Sequence, residues 1–113
     1  MTIVITCLYR DGGADARLAI RDVHLAYIVA NLADLRYAGA LASDDDRHAT
    51  GMLIAHGTDD LAIAHDFMAR EPYHRHGLFA QVAYQRLRQF IPHPTTPDFL
   101  VQELGRERQR LRR

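Results

Sequence analysis

The chain has 113 residues, 48% of them hydrophobic and 25% charged, with a formal net charge of zero at pH 7. That balance excludes a disordered chain, and it excludes long-range attraction of the whole molecule to nucleic acid or an anionic membrane. A single domain of this length buries about two-thirds of its unfolded surface, so one core forms without metal or disulfide staples, and the lone Cys7 offers no internal disulfide.

The zero conceals an asymmetry. Residues 1–105 carry 9 Arg against 13 acids, whereas Arg106–Arg113 carry 5 Arg against Glu107 alone. The opening Met-Thr-Ile-Val-Ile has no basic region ahead of an apolar core, and no apolar run approaches the roughly 20 residues of a membrane span. The cytoplasm is the expected compartment, with no nucleic-acid and no membrane partner.

Thr2–Tyr9 is β-branched and apolar and breaks at Arg10-Asp11-Gly12-Gly13, the signature of a short strand. Ile3, Ile5, Cys7 and Tyr9 fall on one face and Val4, Thr6 and Leu8 on the other, so both faces call for cover. Ala14 to Ala33 follows the helical period. Leu18, Leu25, Val29 and Leu32 form the expected core stripe, flanked by a second stripe of Arg17, Arg21, His24 and Ile28. Leu35–Leu41 reads as a second strand, in which Gly39 permits close backbone approach. The polar Ser43–His48 connection leads to a third strand over Gly51–Gly57.

Thr58 is the expected cap of a second helix, with Asp59 and Asp60 in its first turn. Pro72 forces Glu71 out of helical geometry and ends that helix near Arg70. A turn over Glu71–Gly77 leads to a fourth strand, Leu78–Ile91, stopped by Pro92, Pro94 and Pro97. Asp98–Arg113 reads as a tail helix. The order β-α-β-β-α-β predicts an α+β, ferredoxin-like fold with a four-stranded antiparallel sheet. Two helices cover one sheet face only, so a second copy packed sheet to sheet is the simplest cover for the other, giving a homodimer.

Two stretches carry chemistry. His24 has a side chain that titrates near neutrality, and Arg21 one turn earlier can hold a carboxylate with paired hydrogen bonds. Spacing alone fits a helix-surface His beside a helix-surface Arg equally well. Glu71, pinned by Pro72, has the restricted freedom that suits an acid orienting a histidine. Alone, that segment reads as a helix stop before a solvated turn. His74-Arg75-His76 lacks further ligands for a metal, and Asp44-Asp45-Asp46 lacks the calcium-loop pattern. Neither metal nor cofactor is expected, and the arginine tail, without interleaved aromatics, reads as a solvated helix end.

These same stretches resemble the YciI-like, or YCII-related, proteins. Arg21-x-x-His24-Leu25 is similar to that family's Arg-Pro-x-His-Leu segment, Tyr37–Leu41 to its Ala-Gly-Pro-Leu strand, and Glu71-Pro72-Tyr73 through Phe79 to its Asp-Pro-Tyr-x-x-x-Gly-Leu-Phe segment. The likeness runs over about residues 2–91, within a domain taken as 1–92, and leaves 93–113 as an Arg-rich extension. It implies a dimeric α/β-barrel of ferredoxin-like protomers and an active-site pocket with a His–acid dyad, here His24 and Glu71. Arg21, Tyr73 and Gly39 would then contact substrate. A family member that degrades chlorinated aromatics acts as a dehydrochlorinase, so the resemblance implies general-base chemistry on a small anionic metabolite, by elimination, isomerisation or hydrolysis. The chain departs from the pattern at Asp22 and Ala40, where the family has proline, and at Glu71, where it has aspartate. That last departure gives weight to an alternative, a non-catalytic dimer that binds a small metabolite in the same pocket.

Overall fold

The computed structural model describes residues 1–112. Its elements in chain order are β1 (Thr2–Tyr9), α1 (Gly13–Ala16), a 3₁₀ stretch (Arg17–Ile20), α2 (Arg21–Ala30), a second 3₁₀ stretch (Leu32–Asp34), β2 (Leu35–Ala42), β3 (Ala49–His56), α3 (Leu61–Arg70), α4 (Pro72–Arg75), β4 (Phe79–Leu87) and α5 (Phe99–Leu111). The four strands form one antiparallel sheet in the order β2-β3-β1-β4. That is the ferredoxin-like arrangement expected from the element order. Among the described residues, no helix is long and apolar enough to cross a membrane.

The strand register decides the core. In β1, Ile3, Ile5 and Cys7 are fully buried, and they meet Met52 and Ile54 of β3, Val82 and Tyr84 of β4, and Phe67 and Met68 of α3. Burial pushes the Cys7 thiol up to about 12, helped by the nearby Glu71 carboxylate, so Cys7 is an inert apolar filler at neutral pH. The opposite face carries Val4, Thr6 and Leu8, with Leu53 and Ala83 beside them in register. No helix of the described chain lies over that face, and Leu8 and Tyr37 stand exposed there. Gly51 is where β3 approaches β1 most closely: a Cβ there would sit 1.9 Å from the Cys7 carbonyl oxygen. At Gly39, by contrast, a Cβ would meet nothing within 4 Å, so the close approach expected at that glycine is not made within the chain.

Four expectations are corrected. The long helix over residues 14–33 is instead broken. Gly12, at φ 75°, starts α1, a 3₁₀ stretch follows, and Ile20 at φ −127° interrupts the spiral before α2. The stripe expected to face the core is exposed, with Leu18 at 61% and Val29 at 66%, and Leu25 and Leu32 exposed as well. Ile20, His24, Tyr27 and Ile28 face the sheet in its place. The cap of α3 is Asp60, whose carboxylate accepts from the Ala62 N–H at 2.8 Å. Thr58 instead accepts from the Asp60 N–H at 3.1 Å and shapes the approach. Finally, β4 ends at Leu87, four residues before Ile91, because pairing with β1 runs out at Thr2.

The tail helix forms, as α5, but stands off the sheet domain. Its first residue, Phe99, stacks on His93 and Phe90, with ring centroids 4.2 and 6.2 Å apart, and the radius of gyration is 17.6 Å, against about 13 Å for a compact chain of this length. Glu103–Arg106 and Glu107–Arg110 pairs one turn apart hold its exposed surface. Arg113, the last arginine of the tail, lies outside the described residues.

Candidate functional site

A cavity of about 290 Å³ opens between α2 and the β2–β3 side of the sheet. One wall is apolar: Ile28 from α2, and Met52 and Ile54 from β3. Its polar groups are few and come from four elements. Arg17 comes from the first 3₁₀ stretch, Arg21 and His24 from α2, and Tyr9 and Tyr73 from β1 and α4. A largely apolar hollow with a few convergent polar groups is the usual form of a small-molecule site.

Helical spacing puts Arg21, His24 and Ile28 along one line of α2, at steps of three and four, and Arg17 joins them from the preceding 3₁₀ stretch. That stripe, predicted from the sequence, is the one that lines the cavity. Nothing inside the helix fixes the histidine ring. Glu71 does, from 47 positions later in the chain: His24 Nδ1 lies 2.5 Å from Glu71 Oε1. The Glu71 side chain is fully buried, and its other oxygen, Oε2, accepts the His74 N–H at 2.9 Å.

The local sequence explains this placement. Pro72 holds Glu71 at φ −67°, ψ 125°, in the extended region, and itself starts the single turn of α4. Glu71 is therefore the N-cap of α4, and its carboxylate caps that turn with one oxygen and binds His24 with the other. What the sequence presented as a plain turn, Glu71–Gly77, is a capped helical turn closed by the Arg75 and His76 N–H groups. The extra methylene of glutamate over aspartate does not prevent contact.

Tyr73 packs its ring flat on His24, with centroids 3.9 Å apart and planes 7° from parallel. The imidazole is thus held on its edge by a carboxylate and on its face by a phenol. Burial pushes the Tyr73 hydroxyl up, against the opposing pull of Arg17 and Arg21. Tyr9 is likewise raised, to about 12, chiefly by burial. Both phenols are neutral at pH 7.

With Nδ1–H given to the carboxylate, Nε2 is the ring nitrogen left with a lone pair. Arg21 is exposed at the cavity mouth, and Arg17, half-buried, lies with its guanidinium 5.9 Å from the Tyr9 ring centroid. The site thus sets an imidazole, held by a carboxylate on one edge, beside two fixed positive charges. His24, Arg21 and Tyr73 line the cavity, Glu71 reaches His24 from behind it, and Gly39 lies across the cavity on β2. Arg17 belongs with them, although the sequence reading left it outside the site. Its spacing of four from Arg21 was the available signal.

The YCII-related domain matches this chain over residues 1–88. The structure of 5-chloro-2-hydroxyhydroquinone dehydrochlorinase (TftG) from Burkholderia phenoliruptrix AC1100, in complex with 2,5-dihydroxybenzoquinone, is similar at 25% identity and a TM-score of 0.71, over 79% of this chain and 95% of that one. A crystal structure of an Arabidopsis thaliana protein is similar at 17% identity and a TM-score of 0.43, over 78% of this chain and 93% of that one. No curated protein gives a significant match.

Proposed function

We propose a function for this chain, which belongs to the YCII-related domain family, from the pocket between α2 and the sheet: general-base catalysis on a small anionic metabolite. The observation that carries this reading is the 2.5 Å contact between His24 Nδ1 and the buried Glu71 carboxylate. It fixes one tautomer and leaves Nε2 as the proton acceptor. The substrate's acidic C–H or O–H gives its proton to Nε2, and the charge that develops on the substrate oxygens is held by Arg21 and Arg17. The bond that then breaks decides whether the result is elimination, isomerisation or hydrolysis. Tyr73 positions the base and, with Gly39, shapes the opening.

The similarity to a dehydrochlorinase makes elimination the first chemistry to test. In that reaction His24 takes a proton and the C–Cl bond breaks, with chloride leaving. Incubation with 5-chloro-2-hydroxyhydroquinone, followed by chloride release and by the quinone absorbance, is expected to show turnover. A panel of small hydroxy- and keto-acids extends the assay to isomerisation and hydrolysis. Ligands that bind saturably and are all recovered unchanged would favour the alternative, a metabolite-binding protein without catalysis.

The second part of the reading is a homodimer. Val4, Leu8, Leu53 and Ala83 present an apolar sheet face that no described helix covers, and monomers rarely leave such a face to water. A second copy packed on it covers both at once. Sedimentation is expected to give twice the 12.9 kDa chain mass, and Leu8→Arg is expected to give the single-chain mass with far-ultraviolet dichroism unchanged. A wild-type chain that sediments as a monomer at 100 μM, about ten times a 10 μM dissociation constant, would remove the dimer from the proposal.

A further inference from the structure

A second hollow of about 280 Å³ lies at the other end of the helix layer, between the C-terminal ends of α2 and β3 and the outer side of α3. It shares no lining residue with the cavity that holds His24. Its walls are Asn31 and Asp34 after α2, His56 to Thr58 at the end of β3, and Ile63, Asp66 and Phe67 on α3.

His56 is the feature that calls for explanation. It is 5% exposed, and its Nδ1 is the one buried side-chain nitrogen or oxygen without a hydrogen-bond partner among the described residues. Buried polar atoms are nearly always paired, since an orphan costs its full desolvation. The ring is held edge-on to Phe67, with centroids 5.2 Å apart. Burial lowers its pKa, against the opposing pull of Asp34. At neutral pH it is therefore an uncharged imidazole that can accept a hydrogen bond.

The groups around it also offer acceptors. Asn31 gives one amide N–H to the Tyr27 carbonyl at 2.8 Å and keeps its oxygen to accept, beside a second N–H. The Asp34 carboxylate has no cationic partner within 4.0 Å among the described residues, and Asp66 has only Arg70 at 3.5 Å on the exposed side of α3. Neither Arg70 nor Arg36, which donates to the Met1 carbonyl, lines the hollow. Ile63 and Phe67 supply an apolar floor.

We propose that this hollow is a second ligand site, selective for a small primary amine in its ammonium form. An ammonium has three donors and no acceptor, which complements Asp34, Asn31 and His56. A short alkyl chain fits against Ile63 and Phe67. The site is opposite in sign to the cavity around Arg17 and Arg21, and it stands independently of the reading proposed for that cavity.

The test is a ligand titration of the full chain, with its histidine rings isotope-labelled and followed by NMR at pH 7.5. The probe is n-butylammonium chloride, with sodium butyrate and sodium chloride at matched ionic strength as controls. The expected result is a saturable shift of the His56 ring signals with the amine only, with His24 unmoved. Asp34→Asn, an exposed substitution that keeps the backbone carbonyl bonded to the Gly57 N–H, is expected to raise the half-saturation concentration about tenfold or more, as loss of a charged partner does. A shift that grows linearly and equally with all three salts would overturn the proposal and make the hollow a hydration site only. A saturable shift that Asp34→Asn leaves unchanged, or one seen at His24 in place of His56, would overturn it as well.

Discussion

His24→Asn is expected to lower turnover by about 10²–10⁴-fold, the contribution of a well-placed general base, while the fold keeps nearly its full stability. Asparagine is the informative substitution because its side-chain N–H occupies the place of the imidazole Nδ1–H. It can still donate to Glu71, which lies 2.5 Å from Nδ1 in the native chain, and it removes only the Nε2 edge that faces substrate. His24→Ala is expected to lose the same activity and, in addition, about 1–3 kcal/mol of stability, because the buried carboxylate then lacks its side-chain donor. Urea denaturation of both variants, run beside the turnover assay, separates the two effects. An asparagine variant that keeps more than a tenth of native turnover would remove His24 from the chemistry.

The fold was legible because strands and turns write themselves locally. Thr2–Tyr9 alternates around β-branched residues and stops at two glycines, and the structure returns that strand with the two faces as expected. Pro72 marked the end of α3 for a reason that holds in any sequence. The helix over 14–33 misled for an equally physical reason. Counting leucines and valines gives Leu18, Leu25, Val29 and Leu32 the core, yet all four are exposed, with Leu25 lining the cavity. The sheet-facing arc is filled by His24, Tyr27 and Ile28, two of which carry polar atoms that find partners: Tyr27 donates to the Phe67 carbonyl at 2.7 Å, and His24 meets Glu71. A hydrophobicity pattern ranks residues by transfer from water. It cannot rank a histidine that is satisfied by a carboxylate elsewhere in the chain.

The site was legible in part. Arg21, His24 and Ile28 share a face at 3.6 residues per turn and line the cavity, and Arg17 lines it from the 3₁₀ stretch before the break at Ile20. The acid was not legible from spacing, because it lies 47 residues away from His24 and on a different element. Only the resemblance at Glu71-Pro72-Tyr73 joined the two. Tyr73 came with that segment, but its role as a stacking face for the imidazole needed three dimensions. The exposed outer stripe of α2, the uncovered sheet face and the part of α5 beyond Phe99 share one property: each leaves large apolar side chains exposed among the described residues. A sequence gives the composition of such surfaces. Which of them meets a second copy depends on geometry between chains, and for the sheet face the sedimentation experiment decides it.

Glu71 offers the sharpest separation of structure from chemistry. Its two oxygens accept from different donors, His24 Nδ1–H and the His74 N–H, in a fully buried position. Glu71→Ala strands both donors and opens a void, and it is expected to cost about 2–4 kcal/mol, or about 4 °C of melting temperature for each kcal/mol in a domain of this size. Glu71→Gln acts differently. The amide oxygen takes the place of Oε2 and still accepts from His74, and the amide N–H₂ then faces Nδ1. Every hydrogen bond can be kept if the imidazole moves its proton to Nε2. The fold is then expected to stay within about 1 kcal/mol of native, while the base has become a donor, and turnover falls by about 10²–10⁴-fold. Imidazole ¹⁵N shifts report the exchange of tautomers directly. A glutamine variant with the native tautomer and native turnover would show that Glu71 serves the fold alone, as the cap of α4. A variant with the exchanged tautomer, native stability and lost turnover assigns it the orienting role.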